Sequence, residues 1–157
     1  MYERDTIEYQ RKKLFERMKT ESGKMAQAKL YAGQTEKLSA HTIITDDEKG
    51  YIDDYIPIAV NECATIINHY LGECRSSRIP DSENTGYHIY VLVIDIPANW
   101  PEEATPSLQE IVANIVCNRC LQQWYMLVRA DETNSCAAKI QLYMKQLQDI
   151  LSLRKRP

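Results

Sequence analysis

Tyr51 to Gly72 read YIDDYIPIAVNECATIINHYLG, and this stretch decides the predicted fold. Thr45 and Glu48, just ahead of it, have the spacing of a capping box, and Gly72 occupies the position that helix ends favour. The apolar residues between them recur every three or four positions, as on the buried face of a helix. They are Ile52, Tyr55, Ile56, Ala59, Cys63, Ile66, Ile67, Tyr70 and Leu71. The sequence therefore predicts an amphipathic helix from about residue 46 to residue 71.

Pro57 lies inside this predicted helix and leaves two possibilities for where the helix begins. Proline has no backbone N–H to donate to the preceding turn, so a helix that runs through it is expected to kink. Alternatively, the helix begins at Asp54, which places Pro57 in the first turn, where backbone donors have no partner inside the helix anyway. Both possibilities keep the apolar face from Ile56 to Leu71.

The length and composition of the chain predict a soluble, unexported protein. Its 157 residues are 44% hydrophobic, which is enough for a core without a metal or disulfide. The longest apolar run, Ile89 to Ile94, is far shorter than the roughly 20 residues that cross a bilayer. The first ten residues carry charges where a signal peptide is apolar. Five cysteines, an odd number, favour reduced thiols over a disulfide framework.

The N-terminal part of the chain, residues 1–40, is predicted to be a helical extension. Residues 3–32 contain no proline and a single glycine, Gly23. The thin apolar stripe of this predicted helix consists of Ile7, Leu14, Met18, Met25, Ala28 and Ala32. So narrow a stripe is typical of a helix that packs along an edge, pairs with a partner, or frays until it meets one. Residues 33–40 are predicted to connect it to a helical domain over residues 41–157.

The middle of the chain contains the one predicted strand. Residues 73–86 are polar and rich in turn formers, which predicts a loop, whereas residues 87–96, YHIYVLVIDI, are β-branched and aromatic. A lone strand leaves backbone groups without partners. It must therefore pair with a shorter segment such as residues 42–44, with the loop before it, or with a neighbouring subunit.

Two further helices complete the predicted fold. Thr105 and Pro106 have the residue types that favour a helix start, and the segment from there to Val128 is apolar around most of its circumference. After a turn over residues 130–135, Cys136 to Leu153 again have one apolar face. The predicted fold class is therefore mainly α: a four-helix orthogonal or bundle-like domain with a small β element around residues 87–96.

Charge is unevenly distributed along the chain. Residues 1–40 hold nine basic and six acidic side chains, residues 41–110 hold three and thirteen, and residues 111–157 hold seven and three. Basic ends and an acidic middle can complement each other between copies of the chain, since opposite patches orient association. The alternative is a solvated surface on which the charges happen to cluster.

The cysteines provide the first candidate for chemistry. CNRC, Cys117 to Cys120, has the spacing of half a zinc or redox site, and Cys63, His69 and Cys74 are the candidates for the other half. However, the CNRC pair lies in the middle of an apolar helix, without a second tight pair and far from a helix N-terminus that would lower a thiol pKa. The sequence favours buried thiols that pack as small hydrophobic groups.

Histidines and carboxylates do not form a recognisable catalytic or metal-binding pattern. His41, His69 and His88 are scattered over a loop, a helix and the strand. The acidic cluster over residues 46–54 lacks the alternating ligands and closing glutamate of a calcium loop, and acidic residues at a helix start are favoured by the helix dipole. We therefore predict no catalytic residue, no metal ligand, no cofactor-binding residue and no enzymatic activity.

Two short basic clusters are candidates for contact with phosphates or a partner. One is on the first predicted helix and consists of Arg11, Lys12, Lys13 and Arg17. The other is the C-terminal tail, with Arg154, Lys155 and Arg156. The first leaves open an alternative function, a helical DNA-binding or regulatory protein, while solvated helix faces and helix-end cations explain both clusters without a partner.

The order of these segments resembles the small head-to-tail connector proteins of tailed bacteriophages and prophages. The resemblance covers roughly residues 43–157 and is most specific over Tyr51 to Glu73, where paired acidic and aliphatic residues precede a proline and a small residue. The second part is PSLQEIVANIVCNRCLQQWYML as the main core helix. The chain departs from the family in its first 42 residues and in the length of PANWPEEATP, residues 97–106.

This resemblance implies a non-enzymatic structural adaptor that forms a ring beneath the portal protein at the capsid vertex. The ring would extend the DNA channel without specific nucleic-acid or membrane binding, and would join the portal to neck and tail proteins. The implied location is the virion neck, and the bacterial host cytoplasm during assembly. Arg154, Lys155 and Arg156 would match the tail that reaches toward the portal.

Overall fold

A computed structural model describes residues 2–31, 33, 44, 49–84, 86–128 and 130–153 of the chain. In chain order the elements are β1 (Tyr2–Gln10), α1 (Arg11–Tyr31), α2 (Lys49–Leu71), β2 (Cys74–Pro80), β3 (His88–Pro97), α3 (Ala104–Val128), a short 3₁₀ helix (Ala130–Glu132) and α4 (Thr133–Leu151). Of the described residues, 67% are helical and 19% lie in strands.

The predicted mainly α, bundle-like fold is wrong, because the structure combines helices with a three-stranded antiparallel sheet. The strand predicted over residues 87–96 is present as β3, but it is the middle strand, with β1 on one side and β2 on the other. Its two partners come from segments that the sequence predicted to be helix and loop. A buried central strand needs hydrogen-bond partners on both sides, and here both lie within the chain.

Strand β1 replaces about the first quarter of the helix predicted over residues 3–32. It pairs with β3 along its whole length, from Tyr2 opposite Pro97 to Gln10 opposite Ile89. Its side chains alternate between buried Ile7 and Tyr9 and exposed neighbours, which is the period of a strand with one covered face. The helix α1 begins only at Arg11.

Strand β2 occupies part of the segment predicted as a loop. It pairs antiparallel with β3, from Cys74 opposite Ile94 to Pro80 opposite His88. Only Cys74 and Ser76 are half-buried, and the other side chains are exposed. An edge strand contributes few buried side chains, so its sequence lacks the apolar alternation that identifies strands.

The helix predicted around Tyr51–Gly72 is confirmed as α2. It continues through Pro57, so the alternative start at Asp54 is wrong. The core-facing residues Ile52, Ile56, Ala59, Cys63, Ile67 and Leu71 are each no more than 3% exposed. Gly72 ends the helix with a positive φ of 117°, a conformation that residues with a Cβ adopt at a cost, and its N–H donates to the Asn68 carbonyl. The predicted capping box, Thr45 to Glu48, lies outside the described residues.

Helix α3 is the central helix, as the sequence predicted, since it packs against α1, α2 and α4. Helix α4 begins at Thr133, three residues before the predicted start. The inner face of the sheet and all four of these helices contribute to one hydrophobic core. None of the described helices is long and apolar enough to cross a membrane.

The N-terminal residues belong to the same core. Ile7, Tyr9, Leu14, Phe15 and Met18 are each no more than 5% exposed and pack with residues of the later elements. The predicted division into residues 1–40 and residues 41–157 stays a prediction, because most of the proposed connection lies outside the described residues.

Candidate functional site

The five thiols are covered by the fold. Cys117 and Cys120 have no exposed surface, and the Cys117 Sγ donates to the Leu14 carbonyl across 3.6 Å. Burial raises the pKa of Cys117 to about 12 and that of Cys120 well above its ordinary value, so both stay protonated near neutral pH. The interpretation of the CNRC segment as buried packing groups is confirmed.

The other candidates for chemistry are dispersed in the part of the chain that the structure describes. His69 is exposed and meets the Tyr70 ring edge-on at 5.5 Å, His88 is half-buried at the start of β3, and His41 lies outside the described residues. Burial also raises the pKa of Cys63 and of Cys74, each to about 12. In these described ranges no three His, Cys, Asp or Glu side chains lie close enough to hold a metal ion.

Half of the basic cluster on α1 is engaged inside the protein. Arg11 is only 4% exposed and pairs with Asp53 of α2. Arg17 donates two hydrogen bonds to the Glu110 carboxylate, at 2.8 and 3.0 Å, and one to Asn114 at 2.8 Å. This pairing lowers the pKa of Glu110 and raises that of Arg17. Lys12 and Lys13 remain exposed. The cluster therefore offers fewer charges to phosphates than its sequence suggests.

The C-terminal basic cluster is not placed. Arg154, Lys155 and Arg156 lie outside the described residues, so their predicted contact with a partner stays a prediction. The last described residue, Leu153, is 47% exposed.

The end of α3 exposes three apolar residues in succession. Trp124 and Tyr125 are buried, but Met126, Leu127 and Val128 are 59%, 59% and 48% exposed. Successive helical residues point about 100° apart, so these three cover more than half of the helix circumference. Three successive exposed apolar side chains make the end of this helix a candidate for contact with another molecule. We call residues 126–128 the α3 patch.

The two edges of the sheet each border a groove. A cavity of about 310 Å³ lies beside β1, between Glu8 to Gln10 and the first turns of α3 at Pro106 to Glu110. The Tyr9 hydroxyl reaches across it and donates to the Gln109 carbonyl at 2.8 Å. A second cavity of about 230 Å³ lies beside β2, between Ser76 to Arg78 and Pro57 to Asn61 of α2. Each edge strand therefore borders a groove on the face of the sheet that packs against the helices.

These surfaces were missed by sequence reasoning for different physical reasons. The sheet edges depend on which strands pair, and the pairing of β1 with β3 joins residues that are far apart in the sequence, such as Tyr2 and Pro97. Strand β2 lies close to β3 in the sequence, but its residues lack an apolar alternation. The alternation of Ile7 and Tyr9 with polar residues in YERDTIEYQ was the available signal for β1. The α3 patch was missed because α3 is apolar around most of its circumference. Such a pattern is typical of a buried helix, so exposed residues at its end were not expected.

Comparison of the chain with family models, with curated proteins and with solved structures found no significant match.

Proposed function

We propose that the protein is a non-enzymatic structural adaptor of a phage or prophage particle. In this proposal a ring of copies lies in the virion neck and joins the portal protein at the capsid vertex to neck and tail proteins. The observation that carries it is the α3 patch, because three consecutive exposed apolar residues beside a well-packed core favour a docking role. The resemblance over Tyr51–Glu73 and the main core helix supplies the identity of the partners.

The ion pairs of the described residues also support an adaptor that keeps its shape. Each of the following pairs joins two different elements: Arg11–Asp53, Arg17–Glu110, Arg119–Glu62 and Lys139–Glu21. Exposed pairs stabilise a fold by less than about 1 kcal/mol each, but they fix how neighbouring elements meet. An adaptor that contacts two partners must hold its contact surfaces in fixed relative positions.

The experiment is co-purification of the chain with the portal and neck proteins from the same genome. Leu127→Asp should weaken capture by at least about tenfold, because it places a carboxylate in a desolvated contact. Leu142→Asp is the matched control, since Leu142 is 55% exposed on α4 and lies outside the α3 patch. Equal capture of both variants would contradict docking through the α3 patch, and absence of capture for the native chain would contradict the adaptor proposal.

The alternative function is a helical DNA-binding or regulatory protein that uses the basic N-terminal helix. Lys12 and Lys13 are the exposed members of the basic cluster on α1, so this cluster offers few charges to DNA phosphates. Duplex DNA binding that weakens steeply with salt, with a slope reduced by about two on Lys12→Gln/Lys13→Gln, would favour it over the adaptor.

A further inference from the structure

The sheet has β1 at one edge and β2 at the other, and these two strands run in the same direction. Strands β1 and β2 are both antiparallel to β3, so they are parallel to each other on opposite sides of it. Within the described ranges no further strand pairs with either of them. The backbone groups on the outer side of each edge can therefore hydrogen-bond to another strand.

The two edges carry opposite charge. Strand β2 holds Arg75 and Arg78 and no acidic residue, and Arg75 is also in contact with the carboxylate of Glu73, just ahead of the strand. Strand β1 holds three acidic residues, Glu3, Asp5 and Glu8, against one arginine, Arg4. Arg4 is also in contact with the Asp95 carboxylate of its own sheet at 3.5 Å. Pairing β2 with β2 of a second copy would bring arginines together, whereas pairing β2 with β1 brings opposite charges together.

We infer that a second copy of this chain docks on the sheet, with β1 of one copy pairing with β2 of the next. Both edges lie beside a groove, of about 310 and 230 Å³, which can receive side chains of the neighbouring copy. The contact is head-to-tail, because it uses two different surfaces of the same molecule, and such contacts form rings when the rotation closes.

Symmetry then sets the strand direction at the junction. Rotation about a ring axis changes the strand direction only by the small angle between neighbouring copies, so β1 of the next copy runs nearly parallel to β1 of the first. It therefore also runs parallel to β2, and the sheet continues around the ring with no free edge. The closure of the ring rests on the proposed function. The strand pairing itself is argued from the two edge strands alone.

Sedimentation of the full chain over a range of concentrations measures the pairing. The native protein should associate reversibly as its concentration rises. Arg75→Glu/Arg78→Glu makes both edges acidic, and Asp5→Lys/Glu8→Lys makes both edges basic. Each variant alone should associate at least about tenfold more weakly, because like charges then face each other.

Mixing the two variants is the decisive measurement. The acidic β2 of the first variant complements the basic β1 of the second, and the remaining two edges are the native pair. An equimolar mixture should therefore recover association close to that of the native protein, which also shows that both variants are folded. Controls with the same change in net charge are Lys24→Glu/Lys145→Glu and Glu102→Lys/Glu103→Lys, all at exposed positions away from the strands.

Three results would overturn the inference. They are a native chain that stays monomeric up to the highest soluble concentration, association that neither reversal changes, and a mixture that behaves like its separate components. A chain that is monomeric yet is captured by the portal would reject the edge pairing and leave the adaptor standing. The converse result, association without portal capture, would reject the adaptor alone.

Discussion

Arg11 is the buried charge at which β1, α1 and α2 meet. It follows the last residue of β1, is 4% exposed, and pairs with Asp53 of α2. The centre of its guanidinium lies 4.7 Å from the centroid of the Tyr87 ring, within the range of a cation–π contact. Asp53, in contrast, is 44% exposed. The two partners therefore differ in hydration, and removing one is not equivalent to removing the other.

We expect Asp53→Asn to be more damaging than Arg11→Met. The asparagine removes the charge of Asp53 beside a buried guanidinium, which should lower the free energy of unfolding by about 2 kcal/mol. Methionine keeps an apolar stem in the same place, and water can solvate the exposed carboxylate of Asp53, so the expected loss is less than about 1 kcal/mol. Urea unfolding of the two variants and of the double variant measures the difference. A larger loss for Arg11→Met would show that packing and the aromatic contacts, rather than charge compensation, hold this side chain.

At the scale of single elements, sequence reasoning succeeded where the signal is local. Helix α2 carries its apolar period and its glycine stop within 25 residues, and α3 and α4 are similarly self-contained. The signal for β1 is not local in this sense. Its nine residues run directly into α1, and no proline or glycine near Gln10 and Arg11 marks the boundary. Its partner β3 lies about 90 residues away, so only the tertiary pairing decides between strand and helix.

The candidate site follows the same rule. The burial of Cys117 and Cys120 could be predicted from CNRC inside an apolar helix. The opposite charges of the sheet edges could not, because the sequence did not show that Asp5 and Arg75 lie in strands at all.

Strand β1 predicts that two adjacent residues contribute very differently to stability. Ile7 is 3% exposed and Thr6 is exposed, although they are adjacent. Ile7→Ala should lower the free energy of unfolding by about 2–4 kcal/mol, the usual cost of truncating a buried isoleucine. Thr6→Ala should lower it by less than about 1 kcal/mol, because it loses only strand propensity and cross-strand contact with Val93. Chemical denaturation compares them, and similar losses for the two would argue against the burial of Ile7 and the exposure of Thr6.

At the scale of the whole molecule, the five buried or half-buried thiols act together. Burial raises the pKa of Cys63, Cys74 and Cys117 from 9.0 to about 12 and that of Cys136 to about 11, and Cys120 is raised as well. Above pH 9 the unfolded chain therefore loses thiol protons that the folded chain keeps. The unfolded state binds fewer protons, so the free energy of unfolding decreases as the pH rises.

We therefore expect the thiol contribution to stability to be constant up to about pH 8 and to fall between pH 9 and pH 11, by up to about 1.4 kcal/mol per pH unit for each protonated thiol. Urea unfolding in the presence of a reductant at several pH values measures this slope. Cys117→Ala should reduce the slope by the contribution of one thiol. The cavity that it leaves lowers stability equally at every pH and does not change the slope. Val116→Ala, at a neighbouring position with no exposed surface, is the matched control and should lower stability equally at every pH. If the two variants had the same slope as the native protein, Cys117 would have to ionise as easily in the folded chain as in the unfolded one, and its place in the core between α1 and α3 would be wrong.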